Sequence, residues 1–284
     1  MSGNSAVPSR VVLRAPAKLN LFLELLGKRP DGYHELETVM VPVSCFDTLC
    51  VTRSERHQDI RIQTHWWPSP EDWRRSLGPA AEPLLSIPDD ASNLIYRAID
   101  AARTAWGIAA GFEITVRKRI PAGAGMGGAS SDAAAALRAA AVLGGIDSEA
   151  PELESIAARI GSDVPFFLTD RLPSALGPAP AWAALATGRG ERLQPWALAR
   201  RLWFVIAYPR GGLSTAAVYG QAKIPPQPVA ADDCLRALTA GDLGALHSSL
   251  VNRLSQPAGE LAPRISELLA LMTACDLPAA MMTG

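Results

Sequence analysis

The sequence predicts a mixed α/β (α+β) protein built as two domains, and three observations carry that expectation. Runs with apolar residues at every second position mark strands, whereas runs with three-to-four-residue spacing mark amphipathic helices, and both kinds occur along the chain. The glycine-rich stretch Pro121-Ala-Gly-Ala-Gly-Met-Gly-Gly-Ala-Ser-Ser131 feeds directly into a helix of nearly pure alanine. The composition shifts to Pro and Ala between Arg171 and Ala186, which divides the 284 residues into segments 1–172 and 173–284.

The elements follow in order. In Lys18-Leu-Asn-Leu-Phe-Leu-Glu-Leu25 the leucines fall at 19, 21, 23 and 25, so one face is core and Lys18 and Asn20 share the other. A turn at Pro30-Asp31-Gly32 leads to a strand from Glu37 to Val43, and Leu49 to Arg53 continues the sheet. The Pro-rich stretch from Trp66 to Asp90 has the composition of a surface insertion, with its tryptophans packing the loop down. A helix capped by Ser92 or Asn93 carries Leu94, Ile95, Ala98, Ile99, Ala102, Ala105 and Trp106 on one stripe and ends at Gly107. Phe112 to Ile120 alternates again as a strand. The alanine-rich helix after the loop runs to about Leu143, its small side chains suiting close packing against a sheet. A third helix starts at Ser148 and ends at Gly161. Beyond the join, Leu202 to Tyr208 is expected as a strand before a Gly211-Gly212 turn, and an amphipathic helix carries Leu261, Ile265, Leu268, Leu269 and Met272.

Bulk properties exclude several function classes. Hydrophobic residues make up 48% and charged residues 19%, the balance of a soluble globular protein with a large core. A formal net charge of −1 offers no attraction for nucleic acid or membrane surfaces. No apolar run approaches the roughly 20 residues that span a bilayer. Met1-Ser-Gly-Asn-Ser-Ala6 lacks the pattern of a secretory signal. Cys45, Cys50, Cys234 and Cys275 have neither paired spacing nor scaffold density, as expected for reduced thiols in the cytoplasm.

The chemistry concentrates in four places. Gly123, Gly125, Gly127 and Gly128 allow backbone conformations that a Cβ forbids, and a glycine loop ahead of a helix N-terminus can cradle an anion. Gly123, Gly125 and Gly128 fit a G-x-G-x-x-G spacing, but the preceding strand alternates with charged residues, where a dinucleotide fold needs one buried on both faces. No Gly-Lys-Ser/Thr closes the loop, so a Walker-type loop is excluded. Taken alone, the loop fits a phosphate cradle or an ordinary glycine turn with a serine cap. Asp163, in Gly161-Ser-Asp-Val-Pro165, is either a turn former or a partly desolvated base. Lys18 is either a solvated edge residue or the partner of a carboxylate or phosphate. Asp31-Gly-Tyr-His-Glu35 gathers an aromatic ring and an imidazole that suit either a structural turn or a planar base.

Together, Ala15-Pro-Ala-Lys-Leu-Asn-Leu21, Arg29-Pro-Asp-Gly-Tyr-His-Glu-Leu-Glu-Thr38, the glycine-serine loop and Gly161-Ser-Asp-Val-Pro165 resemble the 4-diphosphocytidyl-2-C-methyl-D-erythritol kinases of the GHMP kinase superfamily. The likeness extends from about residue 11 to the C-terminus and includes Asn93-Leu94 and Gly188-Arg-Gly-Glu191. It implies an N-terminal ribosomal-protein-S5-like ATP domain and a ferredoxin-like C-terminal domain, with substrate between them. It implies a small-molecule kinase of non-mevalonate isoprenoid synthesis that uses ATP and Mg2+, acting as a monomer or homodimer, with no metal ligand indicated. Pro121, Gly123, Gly125, Met126, Gly127, Gly128, Ala129, Ser130 and Ser131 would wrap the ATP phosphates, with Asn93 and Lys118 near its nucleoside. Tyr33 and His34 would hold the cytosine with Tyr219 on its other face, and Asn20 and Thr215 would position the rest of the acceptor. Asp163 matches the catalytic base and Lys18 its partner.

The chain departs from that family at three points. Ala129 replaces a usual glycine, and Ser162 stands where alanine is common. After Met281-Met-Thr-Gly284 the family continues into a third glycine-rich motif and a strand. Two other readings follow: a GHMP kinase for homoserine, mevalonate or a sugar, which has no need of the Asp31-Gly-Tyr-His34 turn, or a nucleotide-binding protein without catalysis.

Overall fold

The computed structural model describes residues 7–147, 150–168, 182–209, 213–275 and 277–284. A long antiparallel hairpin of β1 (Arg10–Lys28) and β2 (His34–Ser54) forms its spine. β3 (Ile60–Trp66) and β4 (Gly111–Lys118) extend the sheet on one side of β2, and β7 (Val251–Asn252) pairs parallel with β1 on the other. β5 (Trp182–Gly188) pairs with the first half of β2, and β6 (Arg192–Ala197) pairs with β5.

Helices cover this sheet. α1 (Pro70–Leu77) and α2 (Glu82–Leu85) lie between β3 and α3 (Leu94–Trp106). α4 (Gly128–Gly144) and α5 (Glu152–Ile160) complete the first group. α6 (Thr215–Gln221), α7 (Asp232–Ala240), α8 (Leu243–Ser248), α9 (Ser255–Leu261) and α10 (Pro263–Ala274) follow. The main core packs Ile95, Ile99, Phe112, Ile114 and Leu137 between α3, α4 and the sheet. Alanines at 133–136 and 139–141 are buried, so α4 approaches β1 and β2 as closely as its sequence allows. A second cluster seats Leu235, Leu238 and Leu246 of α7 and α8 beneath Leu19, Leu21 and Phe22 of β1.

The first strand differs from its expected half-buried form. Leucines 19, 21, 23 and 25 are in the core, but Lys18, Asn20, Phe22 and Glu24 are buried as well. β1 is therefore buried on both faces, and a register irregularity between Asn20 and Phe22 breaks its alternation, so that Phe22 packs with Leu19 and Leu21 while Leu23 and Leu25 join another cluster. Glu24 is satisfied by Arg253 Nε at 2.6 Å and by the Leu25 and Val229 amides at 2.9 and 3.3 Å.

Other expectations need correction. Leu202–Tyr208 is not a strand: no neighbouring strand pairs with it among the described residues, and a strand-like composition makes no ladder without one. Trp203 on this segment is 92% exposed. β3 escaped the sequence reading although Ile60, Ile62, Thr64 and Trp66 alternate with polar residues. Trp66 is its last residue and meets Trp73 edge-on at 6.3 Å, so the insertion begins one residue later and is largely helical. Of the expected join, residues 171–181 lie outside the described residues, and Trp182–Ala186 belongs to β5. Ser148 and the Gly211-Gly212 turn also lie outside them; α5 is described from Glu152. Ala105, placed on the apolar stripe of α3, is exposed.

Candidate active site

The glycine loop takes its shape from both sides. β4 delivers the chain to Ile120, and α4 begins at Gly128 after Gly127 caps it in the left-handed region at φ 70°. Gly123 and Gly125 are also left-handed, at φ 66° and 70°. Gly127 has a further reason to lack a side chain. A Cβ there would stand 2.8 Å from Phe167 Cζ and 3.0 Å from Lys18 Cγ. The Lys18 amide donates to the Met126 carbonyl at 2.9 Å, which ties the loop to β1.

Behind this loop lies a cavity of about 330 Å³, large enough for part of a nucleotide. Pro121 through Ser130 form one wall, and Ser86–Pro88 with Ser92–Ile95 form another. The Trp66–Asp90 region is thus not merely a surface insertion, because its end lines the cavity and the Leu84 carbonyl accepts from the Ala122 amide at 3.0 Å. Asn93 also lies here, but both ends of its side chain are engaged. Its Oδ1 caps α3 by accepting from the Ile95 amide at 2.8 Å, and its Nδ2 donates to the Pro88 carbonyl at 2.6 Å. Lys118 sits in the floor with its ammonium turned to Asp47 and to Asp132, the latter at 2.6 Å. Ser130 lies on the loop wall, while Ser131 is buried in the first turn of α4.

Lys18 and Asp163 meet beside Gly127. Lys18 Nζ is 4.0 Å from Asp163 Oδ2 and donates to Asn20 Oδ1 at 2.5 Å. Asn20 is itself held, donating from Nδ2 to Thr38 Oγ1 at 2.7 Å and from its amide to Thr283 Oγ1 at 2.7 Å. Burial lowers the pKa of Lys18 from the ordinary lysine value, and the Asp163 carboxylate works against that fall. Asp163 is partly exposed on the tight turn after α5, where the Val164 amide donates to the Gly161 carbonyl at 3.2 Å. One short polar chain, Asp163–Lys18–Asn20–Thr38, therefore crosses from the turn to the spine of the sheet.

Of the residues expected around a base, His34 and Tyr219 lie together, and the Asp163 charge reaches the Tyr219 hydroxyl. His34 and Tyr219 have ring centroids 5.5 Å apart at 37°. Burial and the Asp163 charge push the Tyr219 hydroxyl up to about 12, while burial and Lys28 hold the His34 imidazole below its usual value. Tyr33, one residue earlier, is 57% exposed and carries the Arg189 guanidinium 5.0 Å over its ring. Thr215 opens α6 one turn before Tyr219 and borders both the cavity behind the glycine loop and a second, largely apolar cavity of about 580 Å³. That larger space lies between β1, residues 202–208 and α10, and Asn20, Gly123–Met126 and Thr283 also line it.

Sequence reasoning missed Asp47, Asp132 and Thr38. Asp132 carried a signal, being the only charged residue among the alanines that open α4. Asp47 carried little, because only the fold shows that it is fully buried.

Substitution at the loop has a calculable consequence. Gly127→Ala places a methyl group against Phe167 and the Lys18 stem at a positive φ, costing on the order of 1–3 kcal/mol of local strain. Relieving it moves the loop and Lys18 together. Steady-state kinetics are expected to show a raised KM for ATP together with a lowered kcat.

Comparison with known proteins places this geometry. Residues 93–171 match the model of the GHMP kinases N terminal domain. The chain is 41% identical over 281 residues to a 4-diphosphocytidyl-2-C-methyl-D-erythritol kinase of Rhodopirellula baltica, covering 95% of this chain and 82% of that protein. The same-named kinase of Streptomyces avermitilis is 36% identical over 281 residues, covering 96% and 84%. A crystal structure of 4-(cytidine 5'-diphospho)-2C-methyl-D-erythritol kinase superposes with a TM-score of 0.68 at 32% identity, covering 96% of this chain and 87% of that one. A homoserine kinase from Cytophaga hutchinsonii shares the fold at a TM-score of 0.63 and 17% identity. With the glycine loop, the Lys18–Asp163 pair and this level of identity in hand, the chain belongs to the family of 4-diphosphocytidyl-2-C-methyl-D-erythritol kinases.

Proposed function

We propose that this chain transfers the γ-phosphoryl group of ATP to the 2-hydroxyl of 4-diphosphocytidyl-2-C-methyl-D-erythritol, in the non-mevalonate route to isoprenoid precursors. The observation that carries this reading is the 4.0 Å approach of Lys18 to Asp163 beside Gly127, with His34 and Tyr219 paired near enough for the same carboxylate to act on the Tyr219 hydroxyl.

The acceptor hydroxyl is tertiary, and its pKa lies far above that of any carboxylate, so full deprotonation before transfer is excluded. Transfer through a loose transition state needs in-line positioning and neutralised charge more than a strong nucleophile. Asp163 accepts the proton as the new O–P bond forms and the bond to ADP breaks. Lys18, fixed by Asn20, offsets negative charge on the transferring group. The backbone amides of Gly123 through Gly128 receive the phosphates, aided by the N-terminal dipole of α4. Positive φ at three of these glycines, and the lack of room for a Cβ at Gly127, fit a backbone made to approach an anion closely. Mg2+ would be held chiefly by the nucleotide's phosphates at this loop and would supply neutralisation of their charge. Asn20 and Thr215 position the acceptor, while Tyr33, His34 and Tyr219 hold its cytosine.

We place the boundary between the ATP domain and the C-terminal domain at residues 172/173, and the enzyme in the cytoplasm as a monomer or homodimer. No helix among the described residues is long and apolar enough to cross a membrane. The test is ATP turnover with 4-diphosphocytidyl-2-C-methyl-D-erythritol against mevalonate, homoserine and galactose. Turnover with the cytidine compound alone is expected. Preference for another acceptor refutes the substrate, and ATP binding without transfer to any acceptor refutes the activity.

A further inference from the structure

We infer that Asp132 is a positioning residue of the nucleotide site, which holds the Lys118 ammonium under the first turn of α4 and gains a proton when polyphosphate occupies the loop. The inference rests on the ATP reading above. It adds a role for a buried group that the phosphoryl-transfer steps do not use.

The geometry begins with one cluster pinning both ends of the glycine loop. Asp47 Oδ1 accepts from the Arg119 and Ile120 amides at 2.5 and 2.9 Å, where the chain enters the loop. Asp132 lies in the first turn of α4, where the chain leaves it, and its Oδ2 accepts from Lys118 Nζ at 2.6 Å. Lys118 also donates to Asp47, which closes the brace across β2, β4 and α4. The ammonium sits directly behind the loop: a Cβ on Gly128 would stand 3.5 Å from it.

Charge arithmetic then singles out Asp132. Two carboxylates around one ammonium carry a net negative charge when all are ionised. Asp47, Lys118 and Asp132 are 0%, 3% and 3% exposed, so water screens that charge poorly. Asp132 Oδ1 is buried without a hydrogen-bond partner among the described residues, and a lone buried carboxylate oxygen is costly unless it carries a proton. Burial raises Asp132 to about 7, with Lys118 opposing and Asp47 adding to the rise. The like carboxylate Asp47 has its Oδ1 taken by the Arg119 and Ile120 amides, whereas Asp132 Oδ1 has no such partner among the described residues. α3 and α5 pack with Ile95, Ala98, Ile99 and Ala102 and with Leu153, Ile156, Ala157 and Ile160. The short turn Pro165–Leu168 is apolar, and β1 contributes only Lys18, whose stem passes Gly127.

Phosphates arriving in front of the loop add negative charge facing this cluster, which favours protonated Asp132 further. The occupied site then binds more protons than the free site, and linkage requires affinity for ATP to fall as pH rises through neutrality. Asp132→Asn fixes the neutral form while keeping an oxygen for Lys118. It is therefore expected to bind ATP more tightly than wild type at pH 8.5 and equally at pH 6, whereas loss of a merely structural acid weakens binding at both.

Calorimetric titration of the full chain with MgATP from pH 6 to 8.5, in two buffers of different ionisation enthalpy, reads this directly. Wild type should lose about three- to tenfold in affinity relative to Asp132→Asn across that range, as a pKa change of up to about one unit gives. It should also take up a fraction of a proton that the variant does not. Asp47→Asn is the second variant, because removing the like charge beside Asp132 should reduce the same uptake. Equal proton uptake in wild type and both variants overturns this inference and leaves the ATP reading standing. Failure of wild type to bind MgATP overturns both.

Discussion

Asp163→Asn is expected to lower kcat by about 10²–10⁴ while leaving the affinity for ATP unchanged, because it removes a proton acceptor and little else. The substitution is isosteric, and Asp163 sits on the turn after α5, across Lys18 from the glycine loop proposed to receive the nucleotide. Its carboxylate is partly exposed, and the buried Lys18 keeps Asn20 Oδ1 as an acceptor when that carboxylate is neutralised. The fold should survive, which makes the kinetic loss readable as chemistry. Single-turnover transfer with both substrates saturating isolates that step from product release. Transfer at the wild-type rate would remove Asp163 from the role of base, and loss of ATP binding would show that its role is structural.

Much of this site was legible in the sequence because its parts are local. The glycine loop announces itself through backbone freedom and the alanine helix that follows, and α3 through its stripe, its Asn93 cap and its terminal glycine. Asp163 is marked by its place between a helix end and an apolar run. What local pattern could not convey is which faces are buried twice. Lys18 and Asn20 alternate with leucines as surface residues do, and only the cover of α4 and the C-terminal tail makes their face an interior one. Asp47 is the same case in stronger form. It stands among ordinary strand residues, and 72 residues separate it from the Arg119 amide it accepts from. Leu202–Tyr208 failed in the opposite direction. Its composition is that of a strand, but strand formation is a property of pairs, and no partner lies beside it among the described residues.

Lys18→Met is expected to lower kcat by about 10²–10³, the loss typical of removing one preorganised donor from developing transition-state charge. Its effect on stability should be small, because two terms oppose. The variant removes a charge that burial already disfavours, as the lowered pKa of Lys18 records. It also orphans Asn20 Oδ1, which now accepts from Lys18 Nζ at 2.5 Å, at a cost of about 1–3 kcal/mol. The pH dependence separates the electrostatic role from packing. Because burial depresses Lys18 below the ordinary lysine value, the folded state sheds its proton before the unfolded chain does. Lys18 therefore adds stability as pH rises through the interval between its folded and unfolded values, even as activity falls there. Asp163 opposes that depression, so Asp163→Asn moves the alkaline limb of the residual activity to lower pH. In Lys18→Met the limb attributable to this ammonium disappears, along with its share of the rise in stability. Alkaline kinetics and urea unfolding of both variants measure the two effects. An unmoved limb in Asp163→Asn would mean that the carboxylate 4.0 Å away does not act on the buried ammonium, and would remove Lys18 as the source of that limb.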